Sequence, residues 1–220
     1  MTLIGLAAGL TAGGIFSDRV GLGPGGRRRI TTTRALGVAM ALGAVALTAS
    51  AKPSGKFDAL VIAELVGGGF ATACQQGVNG RLGRLAGNAI VAAMISFAVG
   101  TVALVALTAG TVRHYFWSAP WWLYLGGLLA AIFVVVSASV VGRLGVLRVM
   151  LGTVGGQLSG GVLLDAVAPP AGVRLTAATV AGAAIAIIAV GLAGAGADSP
   201  RAKIDPARAS VPAQGLGGPS

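Results

Sequence analysis

Apolar residues run along this chain in long unbroken stretches, neither alternating with polar ones nor recurring at every third or fourth position. As a helix, a membrane span takes about 20 mainly apolar residues to cross a hydrocarbon layer roughly 30 Å thick. Seven stretches reach or approach that length: approximately 1–17, 35–51, 59–80, 85–112, 121–141, 144–165 and 175–197, with Glu64 and Arg148 as the full charges clearly inside them. Barrel strands would alternate apolar and polar with period two, so the pattern predicts an all-α polytopic membrane helix bundle with seven spans.

Composition strengthens this reading. Of 220 residues, 16 are Lys or Arg and 6 are Asp or Glu, about a tenth of the chain, against roughly a quarter in a soluble domain. With 55% apolar residues, 37 glycines and a mean hydropathy of +0.86, too little polar material exists to cover a water-facing surface, which excludes a soluble fold. The net charge of +10 does not point to nucleic acid. Its cations form small groups between uncharged stretches instead of a stripe interleaved with aromatics, so the expected partner is membrane lipid. Cys74, the single cysteine, excludes an internal disulfide framework and a cysteine zinc site. His114 has no cluster of ligands around it, and no metal or other cofactor is expected.

The basic residues also orient the chain. Counted by alternate loops, one side holds Lys52, Lys56, Arg113 and Arg174, and the other holds the remaining twelve. The richer side is cytoplasmic by the positive-inside rule, which places the C-terminus inside and the N-terminus outside. No basic residue precedes the first apolar stretch, so a cleavable signal peptide is not expected. The segment 198–220, rich in Pro, Ala, Gly and Ser, reads as a disordered cytoplasmic tail.

The chain also contains a repeat. At an offset of 147, Gly5, Gly9, Gly13, Gly14, Asp18 and Val20 fall on Gly152, Gly156, Gly160, Gly161, Asp165 and Val167. At an offset of 145, Arg29, Thr31, Gly37, Ala44, Val45 and Leu47 fall on Arg174, Thr176, Gly182, Ala189, Val190 and Leu192. Five spans separate the copies, so they cross in opposite senses, as in the inverted repeats of transporters. Residues 58–197 form one complete five-helix unit, and residues 1–51 match the last two helices of another. On this reading three helices, roughly 80–90 residues, are missing ahead of the first, to be restored by a corrected start, a homo-oligomer or a partner helix.

Several motifs follow one another along residues 58–197. They are Gln75-Gln76-Gly77-Val78-Asn79-Gly80-Arg81-Leu82-Gly83-Arg84, Ser96-Phe97-Ala98-Val99-Gly100-Thr101, Pro120-Trp121-Trp122-Leu123-Tyr124-Leu125-Gly126-Gly127, Arg143-Leu144-Gly145-Val146, and Gly156-Gln157 followed by Leu163-Leu164-Asp165. In combination they resemble the YdcZ-like family of bacterial inner-membrane proteins, within the drug/metabolite transporter superfamily. The resemblance covers 58–197 well and 1–50 weakly. It implies a secondary transporter of a small solute, working by alternating access in the bacterial plasma membrane, and names no cargo. Two positions depart from the pattern: Leu10 stands where the repeat partner has Gln157, and Ala166-Val167-Ala168 follow Asp165.

The polar residues inside the spans supply candidate chemistry. On a helical wheel Glu64, Gly68, Thr72, Gln75 and Asn79 share an arc of about 80°, a stripe that should face protein or water because a carboxylate in a span is costly. Glu64 would lie about 8 Å below the outer boundary, at about 1.5 Å per residue. It is either a proton-coupling carboxylate or cation ligand, or a side chain snorkelling outward. Gln75 and Asn79 either contact solute or bond a neighbouring helix. Thr153, Gln157, Gly161 and Asp165 form a second face at successive i+4 steps, and the glycine ladders beside it suit close helix packing. Together Glu64, Thr72, Gln75, Asn79, Thr153, Gln157 and Asp165 make up the expected solute pathway. Trp117, Trp121, Trp122 and Tyr124 read as an interfacial aromatic belt. No phosphate loop, HExxH pair or Ser/His/Asp set occurs, so an enzyme is not expected. The alternative to a transporter is a non-transporting membrane protein, either an N-terminally truncated remnant or a partner that packs against other membrane proteins through its glycine ladders.

Overall fold

The computed structural model describes residues 2–50, 59–109, 120–168 and 175–195; among these it contains helices and turns, and no strand. The helices are α1 (Thr2–Val20), α2 (Thr32–Ser50), α3 (Ala59–Leu85), α4 (Ala89–Thr108), α5 (Leu125–Leu144, entered through a single 3-10 turn at Trp121–Tyr124), α6 (Val146–Val167) and α7 (Ala177–Ala195). The apolar stretches favour helix because every backbone group is then bonded within its own segment, the requirement in a medium without water. Hydroxyls inside the helices follow the same logic. Those of Thr11, Thr48, Thr72 and Thr153 each donate to the carbonyl four residues back.

Boundaries depart from expectation where local chemistry acts. α3 continues past Gly80 to Leu85, and Arg84 near its end donates to the Pro24 carbonyl in the turn after α1. α4 starts at Ala89, not at 85. Gly87 breaks the chain with a φ of +66°, and the Asn88 side chain accepts a 2.8 Å bond from the Ile90 amide, capping the new helix. The expected end at Val112 and the tail 198–220 lie outside the described residues.

α6 is central, packing on α1, α2, α3, α5 and α7, with Leu147, Met150 and Leu151 fully buried. α4 is peripheral and shows Met94, Val99, Val102 and Leu107 to its surroundings, an apolar surface suited to lipid and unfavourable in water. Segments Ala89–Thr108, Trp121–Leu144 and Val146–Val167 are long and apolar enough to cross a membrane, and Thr32–Thr48 and Ala177–Ala193 are shorter apolar helices.

Two helix pairs dominate the packing, α1 with α3 and α2 with α7. α2 and α7 run antiparallel and meet reciprocally. A Cβ at Gly37 would stand 2.9 Å from the Ala189 carbonyl oxygen and 3.0 Å from the Ala193 Cβ, and one at Gly182 would stand 2.8 Å from the Ala44 carbonyl oxygen and against Thr48. The 145-residue offset maps Gly37, Ala44 and Thr48 onto Gly182, Ala189 and Ala193, so each contact is the image of the other.

Candidate functional site

All nine basic residues among the described ones are arginines at one end of the bundle. Arg19 closes α1; Arg27, Arg28, Arg29 and Arg34 follow it; Arg81 and Arg84 close α3; Arg143 closes α5; and Arg148 lies in the first turn of α6. The turn after α1 ties this end together. The buried Asp18 carboxylate accepts from the amides of Val146 at 2.8 Å and Leu147 at 3.3 Å, donors at the α6 N-terminus that have no carbonyl partner within the helix. Arg28 donates to the carbonyls of Gly142 at 3.0 Å and Arg143 at 3.2 Å, where α5 ends. Between them Gly145, with φ +87°, makes the tight passage from α5 to α6. The last turn of α1 thus supplies an anion to a helix start and the segment after it a cation to a helix end, fixing the α5–α6 joint. Arg148 sits inside its span because its Nε donates to the Ala193 carbonyl at 2.6 Å.

A cleft of about 1050 Å³ opens among α1, α3, α5 and α6, with Val190 of α7 at its edge. Leu6, Leu10, Leu129, Phe133, Val136 and Val140 give it apolar walls; Thr72, Ser137, Thr153 and Gln157 supply polar groups, and Arg148 lines it too. Three of the expected pathway residues, Thr72, Thr153 and Gln157, therefore come together from two helices. The two threonine hydroxyls have donated to their own helices and keep acceptor capacity toward the cleft. The exposed Gln157 amide makes no hydrogen bond among the described residues.

The other four expected residues lie elsewhere. Gln75 and Asn79 turn toward α4, where both donate to the Ser96 Oγ, at 2.8 and 3.3 Å. Beside them a smaller cavity of about 410 Å³ among α3, α4 and α5 is lined by Thr72, Gln75, Gln76 and Ser96 with Phe97 and Phe133. Gln76 is 1% exposed, and its Oε1 has no partner among the described residues. Glu64 is exposed and does not line the cleft. Asp165, half-buried near the end of α6, makes no hydrogen bond among the described residues.

Sequence reasoning missed Ser96 as the partner of Gln75 and Asn79, and Gln76 and Ser137 as lining residues of the two cavities. Ser96 and Gln76 stand within the quoted motifs, yet a serine or glutamine in an apolar run shows no partner until helices are packed. It also missed the capping role of Asp18, whose partners are 128 and 129 residues away. Trp121, Trp122 and Tyr124 are exposed at the start of α5, apart from the cleft; His114 and Trp117 lie outside the described residues. Among the described residues no group of His, Cys, Asp or Glu could hold a metal ion.

The two glycine ladders differ sharply. On α1, a Cβ at Gly5 would stand 3.1 Å from the Leu65 Cβ, one at Gly9 would run into the Val66 carbonyl, and one at Gly13 would stand 2.6 Å from the Phe70 carbonyl oxygen. α3 answers with Gly69, whose own Cβ would stand 2.5 Å from the Leu6 carbonyl oxygen. On α6, a Cβ at Gly152, Gly156, Gly160 or Gly161 would meet nothing within 4 Å among the described residues.

The family model described as "Putative inner membrane exporter, YdcZ" matches residues 60–192, all but the edges of α3 to α7 and well over half of the chain. No curated protein and no solved structure gives a match. The chain belongs to this family, whose description is that of a membrane exporter, a kind of transporter.

Proposed function

We propose that this member of the YdcZ family exports a small, mainly apolar solute through the cleft among α1, α3, α5 and α6. The observation that carries the reading is the convergence of Thr72, Thr153 and Gln157 in one apolar-walled cleft, a few polar groups in a cavity of the size that holds small molecules. The arginine-rich end is cytoplasmic by the positive-inside rule, giving seven spans with the N-terminus outside. Alternating access fits two inverted units, and the reciprocal contacts of Gly37 and Gly182 support a two-fold relation between them. The carboxylate Glu64 lies outside the cleft, so solute recognition rests on Thr72, Thr153 and Gln157 beside the Arg148 cation, and proton coupling would engage Glu64 separately.

Efflux of a panel of lipophilic dyes from cells producing the full chain tests this. We expect the Thr153→Val, Gln157→Leu double variant to lower efflux at least tenfold at unchanged protein level. Efflux equal to that of the parent chain would remove the cleft from the pathway. The packing-partner reading has its own support in the α6 ladder, where a Cβ at Gly152, Gly156 or Gly160 would meet nothing among the described residues.

A further inference from the structure

The arginine end of the bundle carries more cations than the fold consumes. Arg28 braces the end of α5, Arg84 holds the Pro24 carbonyl, and Arg148 holds the Ala193 carbonyl. Arg34 is buried and donates to the Arg29 carbonyl. By contrast, the side chains of Arg19, Arg27 and Arg29 are exposed and make no hydrogen bond or ion pair among the described residues. Together with Arg28 and Ile30 they line a cavity of about 540 Å³. No acidic residue lines it. Asp18, the one acid at this end among the described residues, is buried and bonded to the α6 amides. Glu64 lies toward the start of α3 and Asp165 toward the end of α6, each at the end of its helix away from the arginines. Four like charges around one space repel one another, and a bound anion relieves that repulsion.

We propose that this cavity binds the phosphate of an anionic phospholipid headgroup, held by Arg19, Arg27 and Arg29 with Arg28 beside them. The guanidinium fork matches phosphate oxygens in pairs, which suits arginine to this task. The outer face of α1 selects a lipid over a free phosphate. Phe16, Arg19 and Val20 stand at i, i+3 and i+4, so they share one side of the helix. Phe16 and Val20 are exposed there, as is Ala12 one turn earlier. An acyl chain lying along Ala12, Phe16 and Val20 brings its headgroup to Arg19, whereas a soluble phosphate would gain nothing from that apolar strip.

A second cavity of about 320 Å³ adjoins the same turn and is lined by Arg81 and Arg84 with Gly21, Gly23 and Gly26. There Arg84 is already committed to Pro24, which leaves one unspent guanidinium against three in the first cavity. Orientation alone does not account for such a site. The positive-inside rule counts cations on each side of the membrane and is indifferent to whether they surround a common space. None of the residues lining the arginine cavity lines the solute cleft, so the inference stands independently of the exporter reading.

The test uses the full chain in an uncharged detergent. Dioleoylphosphatidylglycerol, dioleoylphosphatidylcholine or inorganic phosphate is added at equal concentration, and retained ligand is read by mass spectrometry of the intact complex. We expect phosphatidylglycerol to be retained at least tenfold more than phosphatidylcholine, and inorganic phosphate not at all. The triple variant Arg19→Gln, Arg27→Gln, Arg29→Gln should abolish the preference for phosphatidylglycerol. Arg27→Gln with Arg29→Gln, which leaves α1 unaltered, should lower it at least threefold. A control with Arg201→Gln, Lys203→Gln and Arg208→Gln loses the same charge away from the cavity and should bind as the parent does. Each triple variant keeps nine of the twelve basic residues on the richer side against four on the other, so orientation is retained. Equal retention of the two lipids, binding that survives in the first two variants, or an equal loss in the control would each overturn the proposal. Inorganic phosphate retained as well as phosphatidylglycerol would overturn the lipid as its source.

Discussion

α1 and α6 carry the same glycine ladder and the same terminal aspartate, yet the structure uses them differently. On α1 the ladder is filled by α3, and Asp18 is filled by the amides of Val146 and Leu147. On α6 the ladder faces a cleft, and Asp165 makes no hydrogen bond among the described residues. A small-residue ladder therefore encodes how closely a helix can be approached, while occupancy depends on a second surface being present. The same sequence feature is a structural contact in one place and a face left open among the described residues in the other.

The sharpest way to break this comparison is alanine at matched glycines. Gly9→Ala pushes a Cβ into the Val66 carbonyl, and because backbone must yield, we expect a loss of at least about 2–3 kcal/mol, read as thermal unfolding in detergent. Gly156→Ala should change stability by no more than about 0.5 kcal/mol. Equal losses at the two sites would mean that α6 is covered in the isolated chain after all.

The aspartates come next. Asp18→Ala leaves two amides at the α6 N-terminus without their charged acceptor, and we expect about 1.5–3 kcal/mol of destabilisation together with loosening of the α5–α6 joint, seen as faster amide exchange at Val146 and Leu147. The repeat-equivalent Asp165→Ala should stay within about 0.5 kcal/mol. A cost at Asp165 matching that at Asp18 would reveal a cap there and erase the asymmetry.

The smallest expected effect is at Glu64. It stands outside the cleft, so Glu64→Gln should leave dye binding within about twofold and alter efflux only when a pH gradient is imposed. Loss of dye binding in this variant would draw Glu64 into the solute site and move the functional face of α3 away from Thr72.

Much of the fold was legible because its signals are local. Unbroken apolar runs set seven helices, and arginines marked one end of the bundle. Gln75 and Asn79 were found from their spacing, but their common partner Ser96 belongs to another helix, and only packing identifies it. Boundaries shifted where single residues intervened, as at Asn88, whose side chain caps α4 just inside the start of an expected span. Of the pathway residues, Thr72, Thr153 and Gln157 converge, whereas Glu64, Gln75, Asn79 and Asp165 do not line the same cleft. A helical wheel arranges residues around one axis and is silent about which neighbour each arc meets.

By itself the sequence determined that this is a helical membrane protein, where its helices run, and that its glycines and aspartates recur in two copies. These follow from hydropathy, charge and identity, which each residue carries wherever it lies. Only the tertiary structure decided that one ladder is filled and the other open, and that Asp18 holds the start of a helix far along the chain. Contact is a property of pairs of surfaces, and identical surfaces meet different neighbours once the chain is packed.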